Sequence, residues 1–206
     1  MTMESRHQFD REKMRAVILR AIHTCEASEV GAVKLHKILY FLDMISYAAN
    51  GAAVVGATYR KRPFGPTADQ LLSMLREMEK AREIEIATVD FHGYFKKEYH
   101  AKVAESNGVL NDAEISLLDD VIEMVCKNSS AKEISDYSHQ LPWELAEFGD
   151  IIPYHTAMLL FPSHPSPEAF EAVKQGADDF EVEGHQNGSV VLPLLSDFRS
   201  RVLLAA

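Results

Sequence analysis

The chain has 206 residues, a hydrophobic share of 47% and a charged share of 25%, a balance that supports a packed core and argues against disorder as the main state. Its 31 acidic and 21 basic residues leave a formal net charge of −10, which opposes general nucleic-acid binding because phosphate contacts need concentrated Lys and Arg. Cys25 and Cys126 are too few and too far apart for a disulfide framework or a CxxC metal knuckle; no stretch approaches the ~18 apolar residues of a membrane span, and no signal-peptide core is seen at the N-terminus, so a cytoplasmic protein is expected.

The first predicted helix covers about 9–27. Met14, Val17, Ile18, Ala21, Ile22 and Cys25 share one face, and Arg11, Lys13, Arg15 and Arg20 take the others. The second, about 31–49, carries two apolar stripes: Leu35, Ile38, Leu39, Leu42 and Ile45, and then Tyr40, Phe41, Met44, Tyr47 and Ala48. A helix apolar nearly all round must be enclosed by protein. Its one internal acid, Asp43, needs a partner there, with His139 or a Lys as the candidates. Asn50-Gly51 is a helix stop.

Residues 57–61 read as a short strand and Pro63-Phe64-Gly65-Pro66 as a tight turn. A helix is expected at about 67–81, with Leu71, Met74, Leu75 and Met78 inward. Residues 84–89 and 94–103 form a predicted hairpin around His92-Gly93. Asn111 with Glu114, and Ser130 with Glu133, are capping boxes that open helices to about 127 and 138. Pro142 suits the first turn of a further short helix. The Pro-rich stretch 162–167 reads as a hinge. The expected architecture is α+β, predominantly α-helical: a compact helical domain over 1–161 with a small antiparallel β-sheet or hairpin, and a C-terminal extension over 162–206.

Catalytic motifs are missing. None of the nine His residues sits in HExxH or beside paired Cys, and there is no P-loop or GxGxxG. The nucleophile elbow GxSxG is absent, and adjacent Ser138-His139 is not how a serine meets its base. Asp119-Asp120 and Asp178-Asp179 lie on polar stretches and read as solvated surface. His92 and His100 would face each other across the hairpin, but without a third ligand a metal site is disfavoured. No enzyme, metal or cofactor is expected. One basic run, Arg60-Lys61-Arg62, with Lys96-Lys97 on a neighbouring strand, reads either as a solvated strand end or as a docking patch for an acidic surface or a phosphate backbone.

Three segments together resemble the Panacea domain of SocA-like antitoxins. Residues 34–43, KLHKILYFLD, are similar to the family's K-L-x-K-L-L-Y-x-x-D helix. Gly56-Ala57-Thr58-Tyr59 with Pro63 to Pro66 is similar to its strand and turn. Ser135 to His139 with Pro142-Trp143 is similar to its third segment. Ile134 and Phe64 replace the usual Leu and Tyr, which conserves volume. The resemblance implies direct binding and neutralisation of a co-encoded toxin, with no catalysis and no membrane. Its motif residues here are Lys37, Tyr40, Asp43, Tyr59, Gly65, Pro66, Ser135 and His139. Partner contacts are expected from Arg60, Lys61, Arg62, Phe64 and Trp143, the last two divided between core and interface roles. His139 is expected to lock the 130–138 helix against the core. The alternatives are a DNA-associated autoregulator, with the hairpin as a winged module, and a phage-related adaptor.

Overall fold

The computed structural model describes residues 8–91, 93–105 and 108–160. The proposed hinge and extension, 162–206, lie outside the described residues. Helix α1 (Arg11–Thr24) begins where the Asp10 carboxylate accepts from the Lys13 amide at 2.9 Å. The apolar stripe read from the sequence is buried. Its basic residues tie it to neighbours: Arg20 forms a two-pronged pair with Asp119 at 2.6 and 2.7 Å, and Arg15 pairs with Glu83. Cys25 and Cys126 are free and buried, and each thiol shifts the other's proton affinity, so cysteines 101 positions apart are neighbours in space.

Helix α2 (Ala32–Asn50) is buried without a break from Lys34 to Ser46, as a helix enclosed on all sides must be. It packs against α1 and against the helical segments 112–127, 131–137 and 154–159. It ends at Gly51, φ +71°, whose amide donates to the Tyr47 carbonyl at 2.8 Å, a left-handed cap that glycine adopts without Cβ strain.

A first small sheet pairs β1 (Tyr59–Arg60) with β2 (Thr67–Ala68), Tyr59 opposite Ala68. Residues 67–68 were read as helix. They are strand instead, because they pair with β1, and Gln70 becomes the N-cap of α3 (Leu71–Lys80). The segment 149–152 joins the other edge of β1: the Ile152 amide donates to the Tyr59 carbonyl at 2.8 Å, and Lys61 to Asp150 at 3.0 Å. The second sheet is the hairpin of β3 (Ile84–Phe91) and β4 (Tyr94–Ala101). Its register puts His100 opposite Glu85; the expected facing of His92 and His100 falls on a residue, His92, outside the described residues.

Helix α4 (Asp112–Ile122) runs into a π-helical turn, Glu123–Lys127, and α5 (Ala131–Tyr137) follows. Both open on the capping boxes read from the sequence, Asn111 with Glu114 and Ser130 with Glu133. The short α6 (Leu141–Leu145) has Pro in its first turn, and a 3-10 helix, Tyr154–Leu159, ends the described chain. The architecture is α+β, predominantly helical, with the β content divided between two separate two-stranded sheets.

Candidate functional site

The turn at 62–66 is held from inside. The Gly65 amide donates to the Arg62 carbonyl at 2.9 Å, which closes the turn. Lys37 reaches it from α2, and its Nζ donates to the carbonyls of Phe64 at 2.6 Å and Pro66 at 3.0 Å. Ser135 of α5 donates to the same Phe64 carbonyl at 3.0 Å. Ser138 donates to the Ser135 carbonyl at 2.6 Å. Gly65, φ +87°, sits between these groups: a Cβ there would lie 2.2 Å from Ser138 Oγ and 2.5 Å from Lys37 Nζ. Lys37 is 1% exposed, and burial pushes its ammonium down to about 7. Four motif residues, Lys37, Gly65, Pro66 and Ser135, thus form one latch, and Ser138 completes it.

Asp43 forms a second node. Its Oδ1 accepts from the Val55 amide at 2.6 Å; its Oδ2 accepts from the Ala57 amide at 3.1 Å, Tyr59 at 2.8 Å and Tyr154 at 2.9 Å. Neither His139 nor a Lys is its partner, which corrects the sequence reading. The carboxylate fixes the backbone of 55–57 as it enters β1, where amides with no strand partner need an acceptor. Burial raises its proton affinity and the donated bonds oppose that rise. Tyr40 packs edge-on against Tyr59, ring centroids 5.3 Å apart.

His139 does not anchor α5 to the core. Its ring stacks on Trp143, 3.9 Å between centroids and 15° from parallel, and its buried Nε2 has no hydrogen-bond partner. Burial lowers its proton affinity. Trp143 Nε1 donates to the Arg62 carbonyl at 3.1 Å, so the indole ties α6 to the turn. Lys61 is buried and lies over Trp143, 4.1 Å from the ring centroid, and over Phe148 at 5.1 Å. Its Nζ donates to the carbonyls of Ala146 and Glu144 at 2.9 and 3.3 Å, the usual place for a cation at a helix C-terminus.

The basic run is therefore displayed unevenly. Lys61 is buried, Arg60 pairs with Asp69 at 2.7 Å and donates to the Gly149 carbonyl at 2.9 Å, and Arg62 is exposed. Large apolar side chains stand in water on the turn and on the segments bonded to Arg60 and Lys61: Phe64 is 71% exposed, Leu145 67%, Phe148 66% and Ile151 50%. The segments that carry them are bonded to one another: Trp143 meets Phe148 edge-on, and 149–151 pairs with Arg60 and Lys61. Clustered apolar exposure of this kind marks contact surfaces. Lys96 and Lys97 sit on β4, in the other sheet. Among the described residues no group of His, Cys, Asp and Glu is placed to hold a metal, and no helix is long and apolar enough to cross a membrane.

The sequence reading did not find Tyr154, Ser138, Leu145 or Phe148. Ser138 stood next to a motif histidine. Tyr154 carried no local signal, because its partners Asp43 and the Ala57 carbonyl are supplied by distant segments.

Fold and site together define a small helical scaffold that displays a locked apolar turn. The chain belongs to the family described as antitoxin SocA-like, Panacea domain, whose model matches residues 35–144. The match begins in α2, spans both polar nodes and ends in α6; α1 and Tyr154 lie outside it. No curated protein and no solved structure matches the chain.

Proposed function

We propose that the protein is an antitoxin that neutralises a co-encoded toxin by direct contact and without catalysis. The toxin docks on the surface formed by Arg62, Phe64, Leu145, Phe148 and Ile151. Arg60, Lys61 and Trp143 hold that surface in shape from beneath. The observation that carries this reading is Phe64, 71% exposed while Lys37 and Ser135 clamp its own carbonyl. An aromatic fixed before the partner arrives loses little conformational freedom on binding, and such residues dominate interface energetics. The DNA-regulator reading has less support, because two of the three cations at 60–62 are engaged within the chain.

Co-expression with the product of the adjacent gene tests the reading. Growth rescue and co-purification are expected from the wild type. Phe64→Asp with Phe148→Asp should abolish both while the protein stays folded, as judged by its unfolding midpoint. An adjacent product that is harmless alone and does not co-purify contradicts the antitoxin role. Undiminished rescue by the folded double variant contradicts the surface assignment.

A further inference from the structure

One cation of the 34–43 motif has no part in the latch. Lys34 is 6% exposed, and its Nζ makes one hydrogen bond, to the Cys126 carbonyl at 3.0 Å. No carboxylate lies within ion-pairing distance of it among the described residues. Glu133 acts on it only at longer range, burying an ammonium without a contacting counter-ion is costly, and its one hydrogen bond leaves two of its three donors for a further acceptor.

Lys34 lines a cavity of about 880 Å³, within the range of small-molecule sites, ~300–1,000 Å³. Lys96, Lys97 and Lys127 line the same cavity, against two acids, Glu29 and Glu133. Glu133 is already engaged, since it accepts from the Ser130 amide at 2.7 Å. Lys96 is engaged too, with Glu98 at 3.8 Å and with the Ser28 carbonyl, so Lys34, Lys97 and Lys127 carry a local excess of cations in a chain of net charge −10. The N-terminus of α2 opens into this space: Gly31, its N-cap, makes no side-chain cap bond, and nothing lies within 4 Å of where its Cβ would be. The first amides of a 19-residue helix therefore face the cavity alongside Lys34, an arrangement that favours anions. Ala32, Val33 and Ala131 supply apolar wall.

We infer that this cavity binds a small organic phosphate. The phosphate sits against Lys34 and the start of α2, with the lysines of β4 and the π-helical turn at its rim. The organic body lies along the apolar wall. The ligand brings a negative charge into contact with the buried ammonium. This site is separate from the turn-centred surface, and its occupancy does not depend on the antitoxin reading.

Calorimetric titration of the full chain with hexyl phosphate, inorganic phosphate, hexanol and ADP tests the inference. Hexyl phosphate, ADP or both should saturate, at least ~10-fold more tightly than inorganic phosphate or hexanol, an effect of one decade in Kd. Saturation by hexyl phosphate alone identifies an apolar phosphate, and tighter saturation by ADP identifies a nucleotide. Affinity should fall at least ~10-fold in Lys34→Met, and also in Lys97→Gln with Lys127→Gln, whose exposed positions leave folding intact. Lys34→Met should unfold at no lower temperature than the wild type, because it removes a buried charge that no carboxylate contacts. The inference is overturned if neither organic phosphate saturates at millimolar concentration. It is equally overturned if binding survives in Lys34→Met while its stability drops, which makes Lys34 only a clamp on the Cys126 carbonyl.

Discussion

At Gly65 the turn leaves no space for a side chain. Two demands coincide there: a left-handed backbone, and an approach by Ser138 Oγ and Lys37 Nζ that a methyl group would enter. Gly65→Ala should lower stability by about 2 kcal/mol or more, the sum of left-handed strain and a displaced latch, measured by urea unfolding. A neutral outcome would mean that the latch is soft. Asp43 makes a comparable demand by satisfying two amides and two tyrosine hydroxyls. Asp43→Ala orphans the two amides and leaves the hydroxyls only their carbonyl acceptors, Leu39 and Ala57, and should cost about 3 kcal/mol or more.

His36 provides a pH signature. Its Nδ1 accepts from the Ala68 amide at 3.1 Å, and burial pushes the imidazolium down to about 4 from an ordinary 6.5. Between those values the unfolded chain binds a proton that the folded chain refuses. His36 therefore stabilises the fold fully above about pH 6.5, and that contribution is lost as the pH falls toward 4, by up to about 3 kcal/mol. Chemical denaturation at pH 7 and pH 4.5 should show this slope in the wild type and a shallower one in His36→Gln. Equal slopes would contradict the assignment. Neither the burial of His36 nor that of Lys34 was legible in the sequence, because a cation on an apolar helix reads as a solvated end until long-range contacts enclose it.

Elements with local signals were read well. The double stripe of α2 predicted its enclosure, and both capping boxes are present with reciprocal bonds. Ser130→Ala should cost about 1 kcal/mol, the usual loss of a capping hydroxyl, seen in the thermal midpoint; no change would mean that α5 is held by packing alone. The misread elements were those settled by distant partners. Thr67–Ala68 became strand because Tyr59–Arg60 lies beside it. The 149–152 segment has no strand periodicity of its own but pairs with β1. Arg60-Lys61-Arg62 looked uniform in sequence, yet the edge pairing of β1 and the C-terminus of α6 take up two of the three cations.

Across the molecule, the family motif is concentrated in two buried nodes that join α2, β1, the turn, α5 and α6. In that layout the polar groups of Lys37, Asp43 and Ser135 hold backbone in place. On that support Phe64, Leu145, Phe148 and Ile151 stand in water. Affinity should therefore depend on those side chains far more than stability does. Isothermal titration of the adjacent gene's purified product with wild-type protein and with Phe64→Asp measures this directly. The account predicts tight one-site binding by the wild type and a loss of about 100-fold or more in the variant, the scale of a hot-spot residue, at an unchanged unfolding midpoint. Equal affinities for the two proteins would contradict it.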